Sequence, residues 1–172
     1  DSEHIKGQLV EMGYSLTETL NEADIIIYNT CAIREHAEDR VFGNVGAIKK
    51  LKQSNPNLII ALCGCMMQQE HIRKKLFKSY PFVDIVFGTH NQYKVPEIFK
   101  AYLTRGKRFF ADMTETNEVA EGIPALRDNS AKAWLPIMYG CDNFCTYCVV
   151  PYVRGRERSR KSADIIAEFK QI

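Results

Sequence analysis

Three cysteines crowd the segment Cys141-Asp-Asn-Phe-Cys145-Thr-Tyr-Cys148, at x3 and x2 spacing and directly after Tyr139-Gly140. Thiolates are soft donors. Three of them can hold three irons of a cubane [4Fe–4S] cluster and leave the fourth iron open to another ligand. Two simpler chemistries compete. Structural zinc wants four ligands, usually as two paired half-sites. No Cys or His follows Cys148 as far as Ile172, and the nearest upstream histidine is His90. A disulfide would leave one of the three thiols unpaired. The sequence also shows no secretion signal, which favours a reducing, cytoplasmic compartment. A cluster is the reading that uses all three cysteines.

In enzymes with this spacing the open iron is chelated by the amine and carboxylate of S-adenosylmethionine. An electron from the cluster then breaks the sulfonium bond and releases a 5′-deoxyadenosyl radical. The residues point to radical chemistry carried by a cofactor that the protein positions.

The other three cysteines also fall where ligands are usually held. Cys31 follows an apolar run ending at Asn29, and Cys63 and Cys65 follow another ending at Leu62. In a parallel sheet the strand C-termini share one edge, and ligands bind there. Buried core thiols are the competing explanation, and it suits Cys63 best because that residue extends an apolar strand. Cys31 and Cys65 sit in turn contexts, Asn-Thr-Cys-Ala and Cys-Gly-Cys-Met, at helix entrances that favour thiolate. Two ligands do not hold a cluster, so a third would come from Cys63 or from sequence outside these residues.

These loops need a scaffold, and the first ~110 residues supply an alternation of strand runs and helical periods that predicts a parallel α/β sheet. Asp1 and Ser2 can cap a helix carrying Ile5, Leu9 and Met12, closed by Gly13. Strands are expected at Asp24–Asn29, Leu58–Leu62 and Asp84–Phe87, nearly all apolar because helices cover both faces. Helices are expected at about 34–53, 67–77 and 95–104. Residues 112–132 are polar, with Gly122 and Pro124, and read as a linker. Trp134-Leu-Pro-Ile-Met138 reads as the first strand of a new domain whose end delivers the cysteine loop, and Ser162 as the cap of a final helix. The domain plan is thus 1–111, a linker at 112–132, and the start of a second domain at 133–172.

Composition excludes little but constrains the class. A hydrophobic content of 45% and a charged content of 26% suit an ordinary globular protein. No apolar run approaches the ~20 residues of a membrane span, so no membrane role is expected. A net charge of +2 does not by itself indicate nucleic acid. The densest basic stretch holds Arg154, Arg156, Arg158, Arg160 and Lys161. Its arginine forks suit phosphate or carboxylate, although alternation with Gly155, Glu157 and Ser159 also suits a solvated loop. The chain begins at Asp1-Ser2-Glu3 without an initiator Met and ends inside an apparent helix, so both ends read as truncations.

Asn29-Thr-Cys-Ala-Ile-Arg-Glu35, Gly64-Cys-Met66, Phe82-Val-Asp-Ile-Val-Phe-Gly88, Gly140-Cys-Asp-Asn-Phe-Cys-Thr-Tyr-Cys148 and Val149-Val-Pro-Tyr-Val-Arg-Gly-Arg-Glu-Arg-Ser-Arg160 occur in order. Together they resemble the methylthiotransferases of the radical-SAM superfamily, over essentially the whole chain. The first and last stretches are most similar to the tRNA-modifying branch. The resemblance implies a flavodoxin-like N-terminal domain followed by the first βα unit of a TIM-type barrel. It implies two [4Fe–4S] clusters and S-adenosylmethionine. Cys141, Cys145 and Cys148 would hold the radical cluster, and Cys31 and Cys65 would be two of three auxiliary-cluster ligands. The third belongs to a motif of which Asp1-Ser2-Glu3 is the end, which makes Cys63 an extra.

The implied reaction inserts sulfur at C2 of N6-isopentenyladenosine beside the anticodon. The 5′-deoxyadenosyl radical removes hydrogen, auxiliary-cluster sulfur forms the new bond, and a second S-adenosylmethionine gives the methyl. The implied partners are the tRNA anticodon stem-loop and a reductant such as flavodoxin or ferredoxin. Tyr147 resembles a position that packs beside the cofactor adenine, against which ordinary packing weighs equally. Arg154 and Arg156 are candidates for substrate or cofactor contact. Other readings are a methylthiotransferase for another modified adenosine or a ribosomal protein, and a non-catalytic iron–sulfur or zinc protein.

Overall fold

Four short apolar segments lie side by side, all parallel, in the order β1-β2-β3-β4: Ile25–Thr30 (β1), Ile59–Gly64 (β2), Ile85–Val86 (β3) and Phe109–Phe110 (β4). The structure is a computed structural model and describes residues 1–32, 37–127 and 132–172. The β1–β2 register runs from Ile25 opposite Ile59 to Thr30 opposite Gly64. That register brings the ends of the two strands level, so Cys31 and Cys65 leave the sheet at the same edge.

Alternation along β2 explains how both faces are covered. Ile60 and Leu62 point to one side, where they pack with Phe42, Val45, Ile48, Ile72 and Leu76. Those residues belong to α2 (Ala37–Ala47), its neighbour Ile48 and α4 (Glu70–Ser79), with α3 (Lys49–Ser54) between them. Ile59, Ala61 and Cys63 point to the other side and pack with Ile5, Leu9, Ile98 and Phe99. These come from α1 (Ser2–Glu11) and α5 (Val95–Arg105). A strand buried on both faces has no polar face to show, which is why its sequence is one continuous apolar run.

Several elements depart from the sequence reading. The helix expected at 34–53 is two helices, α2 and α3, broken at Ile48; Gly43 and Gly46 weaken α2. Its expected first residues, 34–36, lie outside the described ones. The helix expected from Met67 begins at Glu70, after a 3₁₀ turn over Cys65–Gln68. Asp1 occupies the N-cap of α1 without a side-chain cap bond, because its carboxylate pairs with Arg154 at 2.7 Å.

Residues 112–127 form no regular element, yet they strap across α1, with the Leu126 amide donating to the Glu3 carbonyl at 2.9 Å. Beyond the strap, the strand expected at Trp134–Met138 is only Met138–Tyr139 (β5). It pairs antiparallel with Arg158–Ser159 (β6) and not as the first parallel strand of a barrel. Pro136 lacks an amide donor, which disfavours a ladder through 134–137. Its carbonyl accepts from Arg160 instead, at 2.8 Å. Inside the β5–β6 bracket lie the cysteine loop and the short helix α6 (Val150–Arg154), and α7 (Ser162–Phe169) follows. Lys161, not Ser162, holds the N-cap of α7. Among the described residues, no helix is long and apolar enough to cross a membrane.

Candidate functional site

The β1 and β2 ends build a thiol pair. Gly64 takes φ +99° and ψ −174°, a conformation that is essentially glycine's alone, and it turns the chain sharply between Cys63 and Cys65. The turn sends the two side chains different ways. Cys63 lies fully buried in the apolar cluster under α1 and α5, where desolvation pushes its thiol pKa up. Cys65 swings toward β1. There its Sγ accepts from the Ala32 amide at 2.8 Å and lies 3.5 Å from the Thr30 carbonyl. The Cys31 thiol is its hydrogen-bonding neighbour. Burial raises the Cys65 pKa, as does Cys31, whereas the Ala32 amide and the Arg154 guanidinium oppose that rise.

The turn is held by its own ties. Arg73 donates to the carbonyls of Met67 at 3.0 Å and Gln68 at 2.5 Å. Arg73 thereby braces the turn that carries Cys65. Thr30 Oγ1 donates to the Cys63 carbonyl at 2.5 Å and locks the two strand ends together.

The second thiol set lies on the loop between β5 and α6. Cys145 is exposed, and Cys141 and Cys148 are half-buried. Gly140 has φ +74°, and the Cys141 amide donates back to the Gly155 carbonyl at 3.2 Å. Phe144, between the first two cysteines, holds φ +45°, a left-handed conformation that costs a bulky residue roughly 1–2 kcal/mol. Its ring meets Tyr152 edge-on at 5.9 Å and carries the Arg156 guanidinium at 4.6 Å. Arg156 also lies 3.6 Å from Asp142. Tyr147 is 93% exposed. Arg154 points the other way, toward Asp1 and the Cys65 thiol.

The two sets meet through α6. It starts two residues after Cys148 and packs on the Cys65–Gln68 turn. Sequence reasoning missed what fixes it there. Thr89 Oγ1 donates to the Val153 carbonyl at 2.8 Å, and Arg158 Nη1 lies 3.2 Å from His90 Nδ1. The available signal was the placement of Gly88-Thr89-His90 just past β3, on the same edge as the cysteines.

Among the described residues, no three His, Cys, Asp or Glu side chains sit close enough to hold a metal ion. The donor chemistry nonetheless fits an iron–sulfur centre. Paired thiols receive an amide N–H beside a guanidinium, and three more exposed or half-buried thiols share one loop. Soft thiolates select such clusters, and donors to sulfur tune them.

Residues 1–88 match the family model described as "Uncharacterized protein family UPF0004". The chain belongs to this family. The matched segment contains Cys31, Cys63 and Cys65, whereas the triplet lies beyond it. Curated relatives extend the likeness to the whole chain. It is 56% identical over all 172 residues to a tRNA-2-methylthio-N(6)-dimethylallyladenosine synthase of Clostridium tetani. Proteins with the same name from Clostridium perfringens and Thermoanaerobacter sp. are 54% and 51% identical over the same span. The chain spans only 38% of the length of the first two relatives and 36% of the third.

Proposed function

We propose that this chain is part of a tRNA methylthiotransferase that modifies C2 of N6-isopentenyladenosine next to the anticodon. In this reading residues 1–111 form a flavodoxin-like auxiliary-cluster domain, 112–132 a linker, and 133–172 the start of a radical-SAM barrel. The observation that carries it is the packing of α6, which follows Cys148, on the turn that holds Cys65. A reaction that would draw its radical from one cluster and its sulfur from another would need both thiol sets in one region. The names of the similar proteins supply the substrate class.

Cys141, Cys145 and Cys148 would hold the radical cluster, and Cys31 and Cys65 two corners of the auxiliary cluster. When bound, these groups and S-adenosylmethionine supply the radical, the sulfur and the methyl. The chain's own residues do the positioning. The Ala32 amide donates to Cys65 and directs its sulfur toward Cys31. Arg154 sets a positive charge beside that pair, as an anionic cluster requires, and Arg156 stays on the cysteine loop over Phe144. Exposed Tyr147 remains available to stack on the cofactor adenine. The partners in this reading are the tRNA anticodon stem-loop and a flavodoxin- or ferredoxin-type reductant in the cytoplasm.

The test uses the full-length protein, reconstituted anaerobically with iron and sulfide, and reads methylthiolated nucleosides from isopentenylated tRNA by mass spectrometry. Cys145→Ala should abolish S-adenosylmethionine cleavage while the auxiliary cluster is still loaded. Cleavage retained in that variant would remove the triplet from the radical site. Cleavage without any nucleoside product would leave a radical enzyme with a different substrate.

A further inference from the structure

His90 sits at the junction of the two thiol sets, and no part of the reaction so far uses it. It is 4% exposed, beyond the end of β3. It faces Arg158 at the start of β6, where the cysteine loop returns. The Arg158 fork is spread over three elements. Nη1 reaches His90 Nδ1 at 3.2 Å and also the Thr116 carbonyl of the strap, and Nη2 donates to the Arg154 carbonyl at 2.8 Å. Arginine has no acceptor, so Nδ1 must be the acceptor and the ring proton must sit on Nε2. Burial first, then the Arg158 and Arg154 guanidinium groups, hold the imidazole pKa below its usual value, with Glu115 opposing.

The His90 ring also packs against the loop backbone. At Gly155, which has φ +72°, a Cβ would stand 3.1 Å from His90 Cε1 and 3.5 Å from Glu115 Cδ. The Gly155 carbonyl in turn receives the Cys141 amide. One face of His90 therefore reaches the first cysteine through Gly155, and its Nδ1 reaches the last turn of α6 through Arg158. Thr89 adds a second hold on that turn at Val153. Among the described residues, buried His90 Nε2 and Arg158 Nε have no hydrogen-bond partner. Buried unsatisfied groups are rare and ask for a reason.

We infer that His90 is a positioning residue that, through Arg158 and Gly155, fixes the Cys141–Cys148 loop at a set distance from the Cys31–Cys65 pair. The inference rests on the proposed methylthiotransferase reading for its consequence, but not for its geometry. A radical made too far from the sulfur source is quenched unproductively. Loss of the clamp should therefore uncouple cofactor cleavage from product formation and leave cleavage itself intact.

The test compares His90→Leu, which removes the acceptor, with His90→Asn, whose Oδ1 can replace Nδ1, in the full-length protein. In the cofactor-free protein, amide hydrogen exchange across 150–158 should quicken about tenfold in His90→Leu and stay near wild type in His90→Asn. In the reconstituted enzyme, 5′-deoxyadenosine released per methylthiolated nucleoside should rise about fivefold or more in His90→Leu, with cleavage within about twofold of wild type. His90→Asn should restore the coupling. Unchanged exchange in His90→Leu overturns the clamp. Faster exchange with an unchanged ratio, or His90→Asn behaving like His90→Leu, reduces His90 to packing and overturns the positioning role. Should His90→Leu fail to fold, Arg158→Lys keeps the charge, loses the fork and must show the same two effects; wild-type behaviour there overturns the inference. A wild-type enzyme that makes no product refutes the proposed function, and the exchange comparison still decides the clamp.

Discussion

Replacing Gly64 with alanine attacks the Cys31–Cys65 thiol pair at its hinge. At φ +99° and ψ −174° the backbone is in a region that costs a residue with a Cβ of order 1–3 kcal/mol. The new methyl has nowhere to go. It would lie 2.6 Å from Asn29 Oδ1 and 2.8 Å from Thr30 N, and closer still to the Thr30 carbonyl oxygen. Two of those atoms are backbone of β1, so relief requires the strand ends to separate, which adds roughly 1–3 kcal/mol of overpacking. The total is about 2–6 kcal/mol. For a chain of this size that lowers the midpoint of thermal unfolding by about 5–20 °C. Gly106→Ala is the control, because Gly106 has φ +59° but open space around it. It should cost only about 1–2 kcal/mol. Thermal unfolding of the cofactor-free chain, followed by far-ultraviolet circular dichroism, measures both. In a full-length Cys145→Ala background, Gly64→Ala should also lose iron, because separated strand ends carry Cys31 away from Cys65. A Gly64→Ala protein no less stable than Gly106→Ala, with its iron retained, would refute the proposed tight β1–β2 closure as the basis of the site.

Three further outcomes follow from the same geometry. Timed alkylation of the cofactor-free protein, read by peptide mass spectrometry, should label exposed Cys145 first and Cys63 only after denaturation, since Cys63 is fully buried with a raised thiol pKa. Lys52→Met should cost about 3 kcal/mol in urea unfolding. Lys52 Nζ lies 2.8 Å from Asp84 Oδ2, with the two side chains only 16% and 15% exposed, and the change leaves a largely buried carboxylate without its cation. Tyr102 donates to Asp84 at 3.0 Å, and burial, then Asp84, pushes its hydroxyl up to about 12 from an ordinary 10.0. A raised folded pKa means its contribution is whole below pH 10.0 and is lost as the pH climbs toward about 12. The stability difference between wild type and Tyr102→Phe should shrink across that window; a constant difference would count against the buried pairing.

Much of this protein is written in local sequence. The spacing of Cys141, Cys145 and Cys148 is what raises the cluster proposal, and the parallel sheet is legible because strands buried on both faces must be continuously apolar. Asp24–Asn29 and Leu58–Leu62 are found within a residue or two for that reason. The helices α1 and α5 follow from the periodicity of their apolar residues in the same way. The tertiary structure decided what depends on partners far along the chain. Which way Cys63 and Cys65 point follows from Gly64, whose positive φ is set by the closeness of Thr30. The cysteine loop is bracketed by an antiparallel pair, Met138 with Ser159, which no short-range pattern encodes. Arg154 and Arg158 read as one basic stretch, yet one turns to Asp1 and Cys65 and the other to His90. Side-chain direction on a loop is fixed by long-range contacts, and the entropy of closing them is recovered only when the whole set forms together.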